Sequence, residues 1–113
     1  MSARNPLLSA PPYPVQQTLD ALGKNLRTAR LRRNLSIEDV AAKIGTSRRV
    51  VRDAENGKAS TGIAVYLALL WAYDLLGQMQ PVADPLGDRE GLALARQRER
   101  VHSGRTQDLD NDF

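Results

Sequence analysis

Between residues 35 and 58, apolar positions recur in two short helical periods with a glycine between them. Val40, Ala41 and Ile44 fall at i, i+1 and i+4, which predicts a helix from Ser36 to about Ile44. Val51 and Ala54 make the matching stripe of a second helix, from Ser47 to about Asn56. Gly45 stands one step past the first helix, where a left-handed cap is cheap only for glycine or asparagine. Ser47 is placed to accept a hydrogen bond from the first free amides of the second helix. Gly57 is a candidate for the left-handed position after Asn56.

The same pattern extends in both directions. Leu19, Leu22, Leu26 and Ala29 predict a helix from about Thr18 to Arg33, with Thr18 as N-cap and Asp20 suited to its start. Downstream, Gly62 to Tyr73 predicts a helix with Val65, Leu69 and Tyr73 on one face and Leu67, Leu70 and Trp71 over much of the rest. A helix apolar all round is buried on more than one side, and a domain this small has little to cover it with. A short fifth helix, about Leu75 to Val82, adds Leu76 and Met79. Leu67, Leu70, Trp71, Leu76 and Met79 are therefore the expected homodimer interface.

The fold class is all-α: five helices within residues 18–83, between flexible tails. Residues 1–17 carry Pro6, Pro11, Pro12 and Pro14 and read as an extended arm. Residues 84–113 open on the turn-formers Asp84-Pro85 and Gly87-Asp88. A short helix over 88–100 has Leu92 and Leu94 as its only large apolar residues, and from Ser103 onward the polar composition predicts disorder.

Two helices joined by a tight turn at 36–56 make a helix-turn-helix, whose second helix enters the DNA major groove. The chemistry of that second helix agrees. Arg48, Arg49, Arg52 and Asp53 lie on its outer side while Val51 and Ala54 turn inward. Arginine forks match the acceptor edge of guanine and phosphate oxygens, and an aspartate accepts from cytosine. A solvated basic helix is the plainer reading, but three arginines directly after a cap and a glycine turn favour contact with double-stranded DNA. Ser47, Arg48, Arg49 and Asp53 are the candidate base readers, and Arg52 a phosphate contact. Charge supports this placement. The net charge is only +3, yet residues 18–60 hold ten Lys and Arg against five acids.

The stretch resembles the lambda and 434 phage repressor class of domains, the XRE family. The matching residues are Leu35-Ser36, Glu38, Val40-Ala41, Lys43-Ile44-Gly45, Ser47, Val51 and Glu55-Asn56-Gly57-Lys58. The likeness covers roughly Leu22 to Leu76 and implies a lambda-repressor-like fold. It implies phosphate contacts at Ser36, Asn56 and Lys58, and an ion pair between Arg30 and Glu55 that ties the long first helix to the recognition helix. One departure stands out: the family usually has glutamine as the first residue inside the first motif helix, and this chain has Ile37. Farther on, Asp84-Pro85, Asp88, Gly91-Leu92, Arg96 and Arg100-Val101 resemble the tail of HipB-type antitoxins. These are dimeric repressors that accompany HipA-like serine/threonine kinase toxins. The resemblance implies binding to operators in the chain's own promoter and restraint of a HipA-like kinase.

Other readings stay open. A stand-alone repressor needs only the DNA-binding part. A protein-binding adaptor that kept the fold and lost DNA reading finds its argument in Ile37. A ligand-responsive repressor is disfavoured, because the region after residue 82 is short and polar. Enzymes are disfavoured too: there is no nucleophile elbow, no glycine-rich phosphate loop and no histidine pair at metal spacing. No metal or cofactor is called for, and His102 reads as a surface side chain. The N-terminus lacks a charged region followed by an apolar run, and the uncharged stretch Ala59 to Tyr73 is shorter than the ~20 residues a membrane span needs. With no cysteine, a cytoplasmic location is expected.

Overall fold

The computed structural model describes residues 5–109, with side chains described as far as residue 104. The outer ends of the two tails expected to be flexible, 1–4 and 110–113, lie outside the described residues. The helices are α1 (Pro6–Ser9), α2 (Tyr13–Arg32), α3 (Ile37–Ile44), α4 (Arg48–Glu55), α5 (Ile63–Ala72) and α6 (Arg89–Leu109), with 3-10 turns at Leu76–Met79 and Pro85–Gly87. The described residues contain no strand. They fall into two compact units, one ending at Gly77 and one beginning at Gln78.

In the first unit, α2 packs on α4, α3 on α4 and α5, and α4 on α5. Leu26, Ala29, Val40, Ala41, Val51, Ala54, Tyr66, Leu69, Leu70 and Tyr73 are its buried apolar core. The inward stripes read along α2, α3 and α4 supply six of these ten residues.

α2 starts five residues earlier than Thr18. Pro12 is its N-cap and Pro14 lies in its first turn. Proline is harmless there, because the amide it lacks has no intrahelical acceptor and its φ is already helical. Thr18 is therefore not a cap. It sits inside the helix and its hydroxyl donates to the Pro14 carbonyl at 2.9 Å. A further turn, α1, is opened by its N-cap Asn5, whose Oδ1 accepts from the Leu7 amide at 3.1 Å.

The turn between α3 and α4 is set by Gly45, which takes φ +80°. A β-carbon is strained in that conformation. α5 ends at Ala72 with Tyr73 as its C-cap; Asp74 follows, left-handed at φ 62°, with the Leu75 amide donating to Leu70 O at 2.7 Å.

The fifth helix expected over 75–82 is shorter than expected and of 3-10 type. The chain makes one 3-10 turn at Leu76–Met79, because Gly77 is a poor helix former and Pro81 supplies no amide. α5 is also covered differently from expectation. Leu70 is 6% exposed and belongs to the chain's own core, so it is not available to a second subunit. Tyr66, Leu69, Leu70 and Tyr73 face inward, while Ile63 and Trp71 stay exposed and Leu67 and Met79 are half-buried.

In the second unit, Asp84 caps the Pro85–Gly87 turn by accepting from the Leu86 amide at 2.9 Å. Asp88 accepts from Gly91 N at 2.9 Å and opens α6. That helix runs on to Leu109, past the expected end at residue 100 and through Ser103. None of its described side chains is buried. No described helix is long and apolar enough to cross a membrane.

Candidate nucleic-acid interface

The interface is built on two capped helix starts. At α3, Ser36 Oγ accepts from Asp39 N at 3.0 Å, and Asp39 Oδ2 accepts from Ser36 N at 3.1 Å. This reciprocal cap satisfies two amides that the helix cannot. Hydrogen bonds from the Ser36 backbone, then its side chain, hold the Asp39 carboxyl below its ordinary range. At α4, Ser47 Oγ accepts from Val50 N at 3.3 Å. Both serines spend an acceptor on the cap and keep a hydroxyl proton to donate outward. Ile37, the residue that replaces the usual glutamine, is half-buried.

α4 carries the cations. Arg48, Arg49 and Arg52 are exposed, and among the described residues no acid pairs with them. Val51 and Ala54 anchor the opposite face at 0% exposure. Asp53 is placed differently from a free base reader: it is half-buried, and Lys58 Nζ lies 3.6 Å from its Oδ2. Asn56 closes α4 through its backbone, donating to Arg52 O at 3.0 Å, and its side chain is exposed. Gly57 then turns left-handed at φ +71°, and Lys58 N donates back to Asp53 O at 3.0 Å.

Beneath α4 lies a buried ion pair. Arg30 Nε donates to Glu55 Oε2 at 2.7 Å and Nη2 to Oε1 at 3.1 Å. Each residue is 7% exposed. Arg30 Nη1 also donates to the Leu35 carbonyl at 2.9 Å. One guanidinium thus joins α2, the C-terminal end of α4 and the loop that leads into α3. The Glu55 hydrogen bond raises the Arg30 pKa, against the effect of burial. Tyr73 lies near this pair, 1% exposed, with the Arg33 guanidinium 5.6 Å from its ring centroid. Burial and then the Glu55 charge push its hydroxyl up to about 12.

Several residues that shape the interface were not legible in the sequence. Gly23 is buried where α2 crosses α4, and a β-carbon there would stand 2.8 Å from Ala54 O and closer still to Glu55 O. Tyr66 Oη donates to Lys58 O at 3.4 Å. Gln16 Nε2 donates to Gly57 O at 2.8 Å. Only Asp39 left a local signal, as the acid three residues after a serine. Of the expected dimer residues, Trp71 and Leu76 are exposed, and Lys43 Nζ lies 5.7 Å from the Trp71 ring centroid. No metal-binding cluster of His, Cys, Asp and Glu occurs among the described residues.

The Helix-turn-helix family model matches residues 26–75. No curated protein and no solved structure gives a significant match. The matched span contains α3, α4, α5 and the Arg30–Glu55 pair, and leaves Gln16, Gly23 and α6 outside it.

Proposed function

We propose, with the helix-turn-helix domain of residues 26–75 as premise, that the chain is a sequence-specific DNA-binding repressor. The observation that supports this best is the outer face of α4, where three exposed arginines lack acidic partners among the described residues. Unpaired cations on a rigid helix are what phosphate and base edges require. An adaptor that had abandoned DNA has no evident use for them. Arg48 and Arg49 read base edges. Ser47 lends its hydroxyl, and Asp53 accepts from a cytosine once Lys58 turns to the backbone. Arg52, Ser36, Asn56 and Lys58 hold phosphates and set the register. Arg30 and Glu55 keep α4 fixed on α2.

The repressor acts as a homodimer, with recognition helices about one turn of DNA, ~34 Å, apart on a palindromic operator. Ile63, Leu67 and Trp71 recur at i, i+4 and i+8 on α5, with Ile63 and Trp71 exposed and Leu67 half-buried, and form the centre of the pairing face, to which the exposed Leu76 is also assigned. The antitoxin role, with a HipA-like kinase as partner, rests on the resemblance of the 84–113 tail. Co-purification of a kinase with the tagged protein from its native lysate supports that role; recovery of promoter DNA alone leaves a stand-alone repressor.

The decisive test is a mobility shift on the chain's own promoter and on random DNA across a salt series. Arg49→Ala is expected to lose about 1–3 kcal/mol on the promoter and to relax sequence choice. Lys58→Ala is expected to weaken both DNAs alike and to lower the salt slope by about 1. A protein that binds promoter and random DNA equally at every salt concentration refutes the proposal.

A further inference from the structure

The loop that carries Asn56 and Lys58 is held from outside the helix-turn-helix. Gln16 lies on the first turns of α2, 41 residues away in sequence. Its Nε2 donates to Gly57 O at 2.8 Å and to Asp20 Oδ1 at 2.8 Å. The approach is close: a β-carbon on Gly57 would meet Asp20 Oδ1 at 2.5 Å and Asp20 Cα at 3.0 Å. On the far side, Tyr66 Oη reaches Lys58 O at 3.4 Å. Two successive carbonyls, Gly57 and Lys58, are thus gripped by side chains from α2 and α5. Asn56 and Lys58 nevertheless remain exposed.

Gln16 is not one of the buried core residues. It is half-buried, and among the described residues its side-chain amide donates to the loop carbonyl and the Asp20 carboxylate. The extension of α2 back to Tyr13 places it there. We infer that Gln16 is a positioning residue for DNA binding: it fixes the Asn56–Lys58 loop in the geometry that delivers Lys58 to a phosphate. The inference rests on the DNA-binding reading above. Without the Gln16 grip, the loop samples more conformations, and ordering it on DNA costs affinity without altering any base contact.

The test is a double-mutant cycle between Gln16 and Lys58 on the full chain, read as affinity for promoter and random DNA over a salt series. Gln16→Ala is expected to weaken both DNAs by about three- to tenfold, the range of one lost hydrogen bond. It is expected to lower the salt slope toward that of Lys58→Ala, by about 0.9 for one phosphate contact. In the Lys58→Ala background, Gln16→Ala is expected to add nothing. Gln16→Met keeps the stem but not the donor; it is expected to show the same loss of affinity and salt slope, and it replaces Gln16→Ala in the cycle if the alanine variant folds poorly. Thermal unfolding should shift by no more than several degrees in both, the stability cost of one hydrogen bond. If Gln16→Ala leaves the salt slope at its original value, or if the two losses add in full, Gln16 does not act through Lys58 and the inference is overturned. If the unaltered protein shows no salt-dependent DNA binding, the functional reading fails, and this role fails with it.

Discussion

Arg30 shows how one side chain can decide the geometry of a surface it never reaches. Its guanidinium is committed to Glu55 and to the Leu35 carbonyl, so both α3 and α4 are tied to α2. Glu55→Ala strands that charge inside the domain. Unfolding in urea should register a loss of about 3–5 kcal/mol. Tyr73 makes the opposite case. Its hydroxyl is buried with no hydrogen-bond partner among the described residues, so Tyr73→Phe should leave neutral-pH stability within about 1 kcal/mol or raise it. The hydroxyl's pKa stands at about 12 in the fold, above the ordinary value near 10. The unfolded chain therefore gives up the proton first, and stability falls as pH rises from about 10 to about 12. Tyr66 is raised by burial as well and adds to the same trend. Stability curves of Tyr73→Phe over that window should be visibly flatter. Residue-scale features readable in the sequence were those whose chemistry is local. Gly45 and Gly57 each follow a helix end directly, and both took positive φ. Gln16 and Gly23 were silent, since nothing near them names a partner on another helix.

At the scale of the helices, the apolar stripes marked where α3 and α4 lie, and the end of α2. They failed at ends where proline was involved. Pro12 and Pro14 read as an arm, yet a first helical turn accepts both. Gly77 and Pro81 were allowed inside a helix that then closed only one 3-10 turn. α6 went the other way: an apolar stripe too thin to predict a long helix did not prevent one. The crossing of α2 and α4 depends on an absent side chain. Gly23→Ala would gain up to about 1 kcal/mol of helix propensity, but its methyl would press on two α4 carbonyls that no rotamer can move. Thermal or chemical denaturation should show a net loss of about 1–3 kcal/mol, and a neutral result would mean that the two helices slide apart without cost.

For the whole molecule, the helix-turn-helix was legible because cap, turn, core and cation positions all pointed to one motif within about twenty residues. The face proposed for pairing was harder to read. An all-apolar α5 gave no clue to which side the chain would cover by itself, and Leu70 turned out to face its own core. What is left outward includes Trp71, the only tryptophan in the chain and 55% exposed. The molecule therefore carries an optical gauge at the face where a second copy is proposed to sit. If copies pair there, raising the protein concentration should move the emission to shorter wavelength and shield the indole from a soluble quencher. Dilution should reverse both, so that the pairing constant is read from the unlabelled protein. Emission that stays constant while sedimentation reports pairing would move the interface to another face.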